Sequence, residues 1–257
     1  MVQDQTPGGG SSKTGYGVYT LAILAVGLGG GSLALFAYFL SFGPLNLVDL
    51  GLGPAGSLGF DAFLSLLFFA VHSGLLRKSA KERLKPFLRE EYQPALYALV
   101  SGVFILLLVA LWQQSGPAFR ISGVPRLLLR SALALSLAGF AWAGRALTSL
   151  DTFGFRSALG FLRGEKTQPG PLVVRGPYLW VRHPLYSFTL IMIWSYPDIS
   201  PDRLLFNLLW SVWIVLGAFL EERDLLRLFG KEYGRYRSQT SMLLPTRVRP
   251  ASGKYGR

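Results

Sequence analysis

Long apolar runs constrain this chain more than any other feature of its sequence. Residues 18–42 carry no charge, and the run is long enough as a helix to cross the roughly 30 Å of hydrocarbon in a bilayer. Comparable runs occupy residues 58–76, 94–112 and 126–150. Apolar residues make up 51% of the chain and charged residues 16%, against about 25% in ordinary soluble domains. Because a helix satisfies its own backbone polar groups in lipid, the pattern predicts an all-α integral membrane protein.

The distribution of charge predicts the topology. Two shorter runs, 185–196 and 204–220, flank a turn and predict a tight helical hairpin, for about six transmembrane helices in total. Six crossings put both termini on one side of the membrane. That side would hold all the 26 Lys and Arg residues except Arg120, Arg126, Arg130 and Arg203. By the positive-inside rule, both termini are then cytoplasmic.

Composition also divides the chain into regions. Residues 1–17 are polar and rich in Gly, Ser and Thr, which is typical of a disordered tail. Residues 18–245 are predicted to form one polytopic membrane domain, whose cofactor-binding part is residues 151–245. Residues 246–257 form a basic tail.

Several classes of function are disfavoured at this point. The chain has no cysteine, which excludes disulfides, thiolate metal sites and a cysteine nucleophile. It has two histidines, so no metal site is expected. The formal charge of +12 indicates contact between cytoplasmic loops and anionic lipid of the bilayer, and nucleic acid is not expected as a partner. The sequence does not indicate an oligomeric state.

One polar cluster stands where the predicted hairpin begins. Pro184 fixes its own φ and disfavours helical conformation at His183, so a helix is expected to start there. Arg182 and His183 then lie at a helix N-terminus, where backbone N–H groups and the guanidinium favour an anion. The alternative is an interfacial anchor, because Arg, Tyr178 and Tyr186 are also the residue types that a membrane boundary recruits.

A second polar cluster stands where the hairpin ends. Glu222 falls in phase with Leu225, Leu226 and Phe229, so its carboxylate is predicted to face the protein. A carboxylate on a buried stripe at a membrane boundary is a candidate functional group. Glu221 lies about 100° away around the helix, and a solvated charge at a helix end also explains it.

His72 lies near the cytoplasmic end of the second apolar run. A single histidine in that position fits either a packing residue or a proton acceptor, and the sequence leaves both open.

Both polar clusters match a known family signature. The sequence Gly176-Pro-Tyr…Val-Arg-His-Pro-Leu-Tyr186, followed by Leu220-Glu-Glu-Arg-Asp-Leu225, Phe229-Gly230, Tyr233 and Tyr236-Arg237, resembles the C-terminal signature of the isoprenylcysteine carboxyl methyltransferase superfamily. Phospholipid methyltransferases share a looser version. Other stretches resemble the narrower NnrU-type branch, which includes methanethiol S-methyltransferase: His72-Ser73, Tyr97, Trp112, Asp151-Thr-Phe-Gly-Phe155 and Ser241-Met-Leu-Leu-Pro245.

The resemblance implies an integral membrane enzyme that uses S-adenosylmethionine (SAM), located in the bacterial inner membrane with its site on the cytoplasmic face. The family pattern maps onto Arg182, His183, Pro184, Tyr186, Glu221 and Glu222 as cofactor-binding residues. Tyr178 joins this set because aromatic rings and carboxylates suit the sulfonium cation of SAM. The chain departs from the family at Phe188, where a glycine is often found.

Methyl transfer from a sulfonium needs positioning and a dry site more than a protein nucleophile. The expected acceptor is a small or lipophilic thiol, or an isoprenylcysteine-type carboxylate. A thiol must lose its proton, for which His183 or His72 could serve, and Glu222 completes the expected catalytic set. One alternative is a non-catalytic membrane scaffold that keeps the fold. Another is an NADPH-dependent membrane reductase of the steroid-reductase type.

Overall fold

The computed structural model describes residues 11–147, 160 and 172–246. Within these residues the helices are α1 (Ser11–Phe42), α2 (Pro54–Leu76), α3 (Lys78–Leu84), α4 (Gln93–Leu111), α5 (Gly123–Ala146), α6 (Pro184–Trp194) and α7 (Pro201–Gln239). Short 3₁₀ turns occupy Glu90–Tyr92 and Gly176–Leu179. Strands β1 (Phe119–Arg120) and β2 (Asp198–Ile199) pair antiparallel.

Five of these helices are long and apolar enough to cross a membrane: α1, α2, α4, α5 and α7. The prediction of an all-α integral membrane protein is confirmed. The sixth predicted span, α6, has only 11 residues, or about 16 Å of helix, and forms a hairpin with the much longer α7. Large apolar side chains on the spanning helices are exposed, as expected of surfaces that face lipid, among them Leu128, Leu135, Val212 and Leu216.

Two boundaries differ from those predicted. Helix α1 begins at Ser11, although the sequence predicted a disordered tail to residue 17; extending a formed helix adds one hydrogen bond for each residue fixed. Residues 1–10 lie outside the described residues. Helix α7 continues beyond the second apolar run of the predicted hairpin, which ends at residue 220, to Gln239. Gly230 is nevertheless a break, because its φ of 53° and ψ of −123° are not helical.

The chain forms two compact units. Of the described residues, the first contains 11–35, 70–106 and 160. In it, α1 and α4 approach closely: a side chain at Gly102 would lie 3.3 Å from the Cα of Gly29 and 3.2 Å from the carbonyl of Leu28. Ala25 and Ala95 are fully buried in the same contact. Small residues thus permit the tight packing that is typical of membrane helices.

Of the described residues, the second unit contains 36–69, 107–147 and 172–246. An aromatic core holds it together, in which Phe68 stacks on Trp210 at 5.2 Å and Phe206 stacks on Trp210 at 4.8 Å. Such ring pairs contribute about 0.5–1.5 kcal/mol beyond the burial of their area. Other rings of this core are Phe36, Phe39, Phe69, Trp112 and Trp213.

A buried polar network lies at the N-terminal end of α7. The Asp202 carboxylate accepts hydrogen bonds from Trp112 Nε1 at 3.2 Å and from the N–H of Ser115 at 3.1 Å. Arg203 donates from Nη2 to the carbonyls of Leu40 and Ile193, both at 3.0 Å. These carbonyls belong to the last turns of α1 and α6, so one guanidinium caps two helix C-termini.

Phe188 is accommodated by a glycine on the neighbouring helix. Helices α5 and α6 pack together, and a Cβ at Gly139 of α5 would overlap the Phe188 ring of α6. The ring belongs to a cluster with Ala143, Ala146 and Tyr178. Phe188 stands where the family often has glycine. Gly139 of α5, which has no side chain, leaves the space that the Phe188 ring needs.

We expect Gly139→Ala to destabilise the second unit by about 1–3 kcal/mol, because the new methyl group must displace the Phe188 ring. In a Phe188→Ala background the same change should cost much less, since the ring is gone. Thermal unfolding in detergent measures both. Gly144→Ala, on the same helix, is the control, because a Cβ there meets nothing within 4 Å. Equal costs of Gly139→Ala in the two backgrounds would contradict this packing.

Candidate active site

The Arg-His-Pro segment is held by the chain's C-terminal segment. Helix α6 begins at Pro184, and His183 precedes it with extended φ (−122°). Val181 forms a parallel bridge with Ser241. The N–H of Arg182 donates to the Ser241 carbonyl at 2.8 Å, and the N–H of His183 donates to the Met242 carbonyl at 3.1 Å. The site is therefore built from the start of α6, the middle of α7 and the segment after α7.

This pairing changes one expectation drawn from the sequence. The N–H groups of Arg182 and His183 were expected to face an anionic ligand, but both are bonded to backbone carbonyls of residues 241–242. A polar segment that returns alongside the helix start satisfies these donors first. An anion at this site therefore cannot use these two N–H groups.

Arg182 and Glu222 form a buried ion pair. Arg182 Nε lies 2.5 Å from Glu222 Oε1, and the two side chains are 9% and 4% exposed. The guanidinium Nη1 also donates to the carbonyls of Arg237, at 3.1 Å, and Thr240. The predicted inward orientation of Glu222 is confirmed. The two polar clusters of the sequence, 40 residues apart, are in direct contact.

His183 lies between two carboxylates. Its Nε2 is 3.5 Å from Glu222 Oε1, and its Nδ1 is 3.6 Å from Glu221 Oε2. The imidazole stacks on the Tyr186 ring at 5.5 Å with an interplanar angle of 7°. Tyr186 also hydrogen-bonds Glu221 through its side chain. Glu221 is 46% exposed, so one carboxylate of the pair faces inward and the other faces the surface.

Arg237 is a site residue that the sequence analysis did not select. Its Nε lies 3.3 Å from Glu222 Oε2, and its side chain is half exposed. It reaches Glu222 because α7 breaks at Gly230 and resumes in a new direction. An unbroken helical period continued from Glu222 through residue 230 would not place Arg237 next to Glu222. The signal available was the Tyr236-Arg237 pair within the family signature.

Three tyrosines form the apolar side of this site. The Tyr236 hydroxyl donates to the Tyr178 carbonyl at 2.5 Å, and Tyr233 is buried beside Arg182 and Glu222. Burial, and secondarily the negative charge of Glu221, raises the pKa of the Tyr178 phenol well above its usual value. Tyr178 therefore remains neutral at any physiological pH.

His72 belongs to the first unit, where Tyr97 and Ser101 hydrogen-bond its ring. The structure thus brings together Tyr178, Arg182, His183, Tyr186, Glu221 and Glu222, with Pro184 starting the helix that carries Tyr186. Residues 148–159 and 161–171, inside the predicted cofactor-binding part, lie outside the described residues.

We expect Glu222→Gln to lower stability by about 3–5 kcal/mol, because it leaves the buried Arg182 charge without its partner. The double variant Arg182→Met/Glu222→Met removes both charges and should cost less than the single one. Denaturant unfolding of the detergent-solubilised protein compares them. Asp224→Asn is the control: Asp224 pairs with Arg227 at 3.3 Å on the same helix, but both side chains are about two-thirds exposed. Its midpoint should not move, and equal losses in the two acidic variants would contradict the buried pair.

Known proteins with similar sequences agree with this geometry. The chain is 32% identical over 206 residues to methanethiol S-methyltransferase of Pseudomonas deceptionensis, a match that covers 77% of this chain and 78% of the relative. It is 33% identical over 220 residues to methanethiol S-methyltransferase 2 of Bradyrhizobium diazoefficiens, covering 82% and 84%. The methanethiol S-methyltransferase of Mycobacterium tuberculosis is 28% identical over 75% of this chain and 80% of its own length.

No protein-family model matches the chain, and no solved structure matches it. Three observations agree: the spanning helices, the buried Arg182–Glu222 pair built from both halves of the signature, and the similarity to these bacterial proteins over three quarters or more of each chain. The chain therefore belongs to the methanethiol S-methyltransferase family of membrane enzymes.

Proposed function

We propose that this enzyme uses SAM to methylate a small apolar thiol such as methanethiol, at the cluster formed by Arg182, His183, Glu221, Glu222 and Arg237. The observation that carries the proposal is the buried Arg182–Glu222 pair with His183 at its edge. Burying charges at a membrane boundary is costly, and a pair of this kind points to a ligand that uses them.

The residues present fit SAM. Its sulfonium is a cation, and Glu222 supplies a buried carboxylate beside the ring of Tyr233. The Tyr186 ring stacks on His183, which lies 3.5 Å from the same carboxylate. Its amino acid carboxylate is an anion, and Arg237 is a half-exposed guanidinium that already reaches a carboxylate at this site. The Nε2 of His183 is buried and makes no hydrogen bond among the described residues, which leaves one polar atom available to a ligand.

When bound, SAM supplies an electrophilic methyl group. The chain's own residues do the rest. Arg182 fixes Glu222 through Nε while Nη1 holds the carbonyls of Arg237 and Thr240, so the carboxylate keeps one position. The apolar cluster of Leu172, Val174, Tyr233 and Tyr236 keeps water away from these charges. Desolvation strengthens each electrostatic contact and protects the reaction from hydrolysis.

The thiol acceptor must reach the methyl group as a thiolate. His183 is the proposed acceptor of its proton, because the buried Nε2 of its ring makes no hydrogen bond among the described residues. A carboxylate acceptor would need no such base. The relatives named above are methanethiol S-methyltransferases, which supports a thiol as the acceptor of this chain.

The charge distribution supports a location in the bacterial inner membrane with this cluster on the cytoplasmic face. Residues 77–93, 145–182 and 221–257 together carry 21 of the 26 Lys and Arg residues, and SAM is made in the cytoplasm.

The decisive measurement is SAM affinity by calorimetry on the solubilised protein. Arg237→Gln should weaken SAM binding by about 10–100-fold, the worth of one hydrogen bond to a charged group. Because the Arg237 side chain is half exposed, we expect this variant to keep the fold. Glu222→Gln should weaken binding at least as much if it stays folded.

Asp224→Asn is the matched control, since its carboxylate lies on the same helix but is exposed. The assay is completed by methyl transfer from labelled SAM to methanethiol, with the volatile thioether collected. If the folded Arg237→Gln and Glu222→Gln variants bind SAM with unchanged affinity, the proposed site is wrong.

A further inference from the structure

Two buried carboxylates of the second unit bind one short segment of the chain. Asp61 of α2 accepts a hydrogen bond from the N–H of Gln113 at 3.0 Å, and Asp202 of α7 accepts one from the N–H of Ser115 at 3.1 Å. Asp61 and Asp202 are 0% and 1% exposed. Because the two donors are only two residues apart, the carboxylates lie close enough to repel each other.

Helices α2 and α7 place Asn207 opposite Asp61. Trp210 Nε1 donates to Ser65 Oγ at 3.3 Å, so the two helices are in contact there. On α7, Asn207 lies about one turn before Trp210, and on α2, Asp61 lies about one turn before the contact. Because Asp61 and Asp202 bind the same segment, both helices run in the same direction from it. The turn before the contact therefore brings Asp61 and Asn207 together.

Each of these two residues carries a buried oxygen atom without a hydrogen bond in the part of the chain that the structure describes. The atoms are Asp61 Oδ2 and Asn207 Oδ1. Carboxylate and amide oxygens are both acceptors, so neither atom can satisfy the other. Buried polar atoms normally have a partner, and the partner that fits between two acceptors is a cation or a hydrogen-bond donor.

The buried charges at this end of α7 do not cancel. Two carboxylates face one fully buried cation among the described residues, Arg203, whose Nη2 binds backbone carbonyls of α1 and α6. Arg130 of α5 also acts on Arg203, but Arg130 is partly exposed and lies over the Tyr196 ring. One negative charge of the Asp61–Asp202 pair therefore remains in apolar surroundings, where an uncompensated ion is strongly disfavoured.

We propose that one monovalent cation, a sodium ion or a proton, is held between Asp61 Oδ2 and Asn207 Oδ1 and neutralises this charge. Both cations use the same chemistry, the lone pairs of a carboxylate and an amide oxygen. A water molecule or a rotated Asn207 amide would supply a donor to Asp61 but no positive charge. A divalent ion is disfavoured, because the described residues contain no group of three or more His, Cys, Asp or Glu side chains that could hold a metal ion.

The cation belongs to the folded structure. Its ligands are buried, so it exchanges only when the ends of α2 and α7 open, and its effect is on stability. Asp202 precedes Glu222 by 20 residues of α7, or about 30 Å of helix, so this cation takes no part in methyl transfer. The cation site therefore does not depend on the proposed function, and a failure of SAM binding leaves it standing.

The test measures unfolding of the full chain in detergent, with sodium chloride replacing choline chloride at constant ionic strength. A bound sodium ion should lower the unfolding equilibrium constant about tenfold for each tenfold rise in sodium above its Kd. A bound proton should leave the constant insensitive to sodium. The constant should then rise by up to about tenfold per pH unit, because the folded protein keeps a proton that the unfolded chain has released.

The wild type is compared with three variants. The charged groups that act around Asp61 are Asp202 and Arg203, and segment 112–115 adds no ionisable side chain, so these stay constant in the comparison. Asp61→Asn removes the negative charge and keeps the shape of the side chain. It should fold, and it should lose whichever dependence the wild type shows, on sodium or on pH. Asn207→Leu keeps the charge and removes one ligand oxygen, so the cation should bind about tenfold more weakly.

Asp49→Asn is the matched control. Asp49 is an exposed carboxylate in the loop before α2 and accepts a hydrogen bond from the N–H of Gly51 at 2.9 Å. This variant makes the same chemical change outside the buried site, so its unfolding should respond to sodium and to pH as the wild type does.

Infrared spectra identify the cation. A proton gives the carbonyl band of an un-ionised carboxylic acid, which Asp61→Asn lacks, whereas a sodium ion leaves the carboxylate bands. Either this acid band or a sodium response that Asp61→Asn loses supports the site. If the wild type shows neither the acid band nor such a sodium response, no cation is bound and the proposal is wrong.

Discussion

Arg182 and Glu222 meet at 2.5 Å in surroundings from which water is almost excluded, and the candidate site is arranged around that contact. Two isolated charges in such a position would cost several kcal/mol each to desolvate. The guanidinium offsets this cost by also binding the carbonyls of Arg237 and Thr240. The pair thereby ties the start of α6 to α7 and to the segment that follows it.

The break at Gly230 makes this closure possible. A helix that continued straight from Glu222 would carry Tyr236 and Arg237 about 20 Å further along its axis. With φ of 53° at Gly230, the last part of α7 changes direction, and Arg237 returns to 3.3 Å from Glu222. Positions with a positive φ are usually occupied by glycine, because a Cβ would be strained in that conformation. The change of direction at Gly230 therefore brings the second cation, Arg237, to the site. It also places Ser241 and Met242 beside Arg182 and His183.

Local rules were enough to find the main groups of the site. The helical period turned Glu222 inward, and Pro184 marked the start of α6 with Arg182 and His183 before it. They could not find the pairing of Val181 with Ser241, since backbone hydrogen bonds between distant segments leave no pattern in side chains. Arg237 could not be predicted as a site residue, because its position depends on the break at Gly230. The packing of Phe188 against Gly139 could not be predicted for a similar reason, because the two residues lie far apart in the sequence on different helices.

Charge is buried at the N-terminal end of α7 and again in its middle, and the partners distinguish the roles of the two networks. At the N-terminal end, Arg203 binds the carbonyls of Leu40 and Ile193, and Asp202 binds the N–H of Ser115. Backbone groups cannot leave without unwinding a helix, so this network anchors helix ends. In the middle of α7, Glu222 is held by side chains, one of them the half-exposed Arg237. A side chain can change partner by rotating, at little cost to the fold. A charged ligand can therefore enter the network at Glu222, whereas the network at Arg203 is closed to exchange.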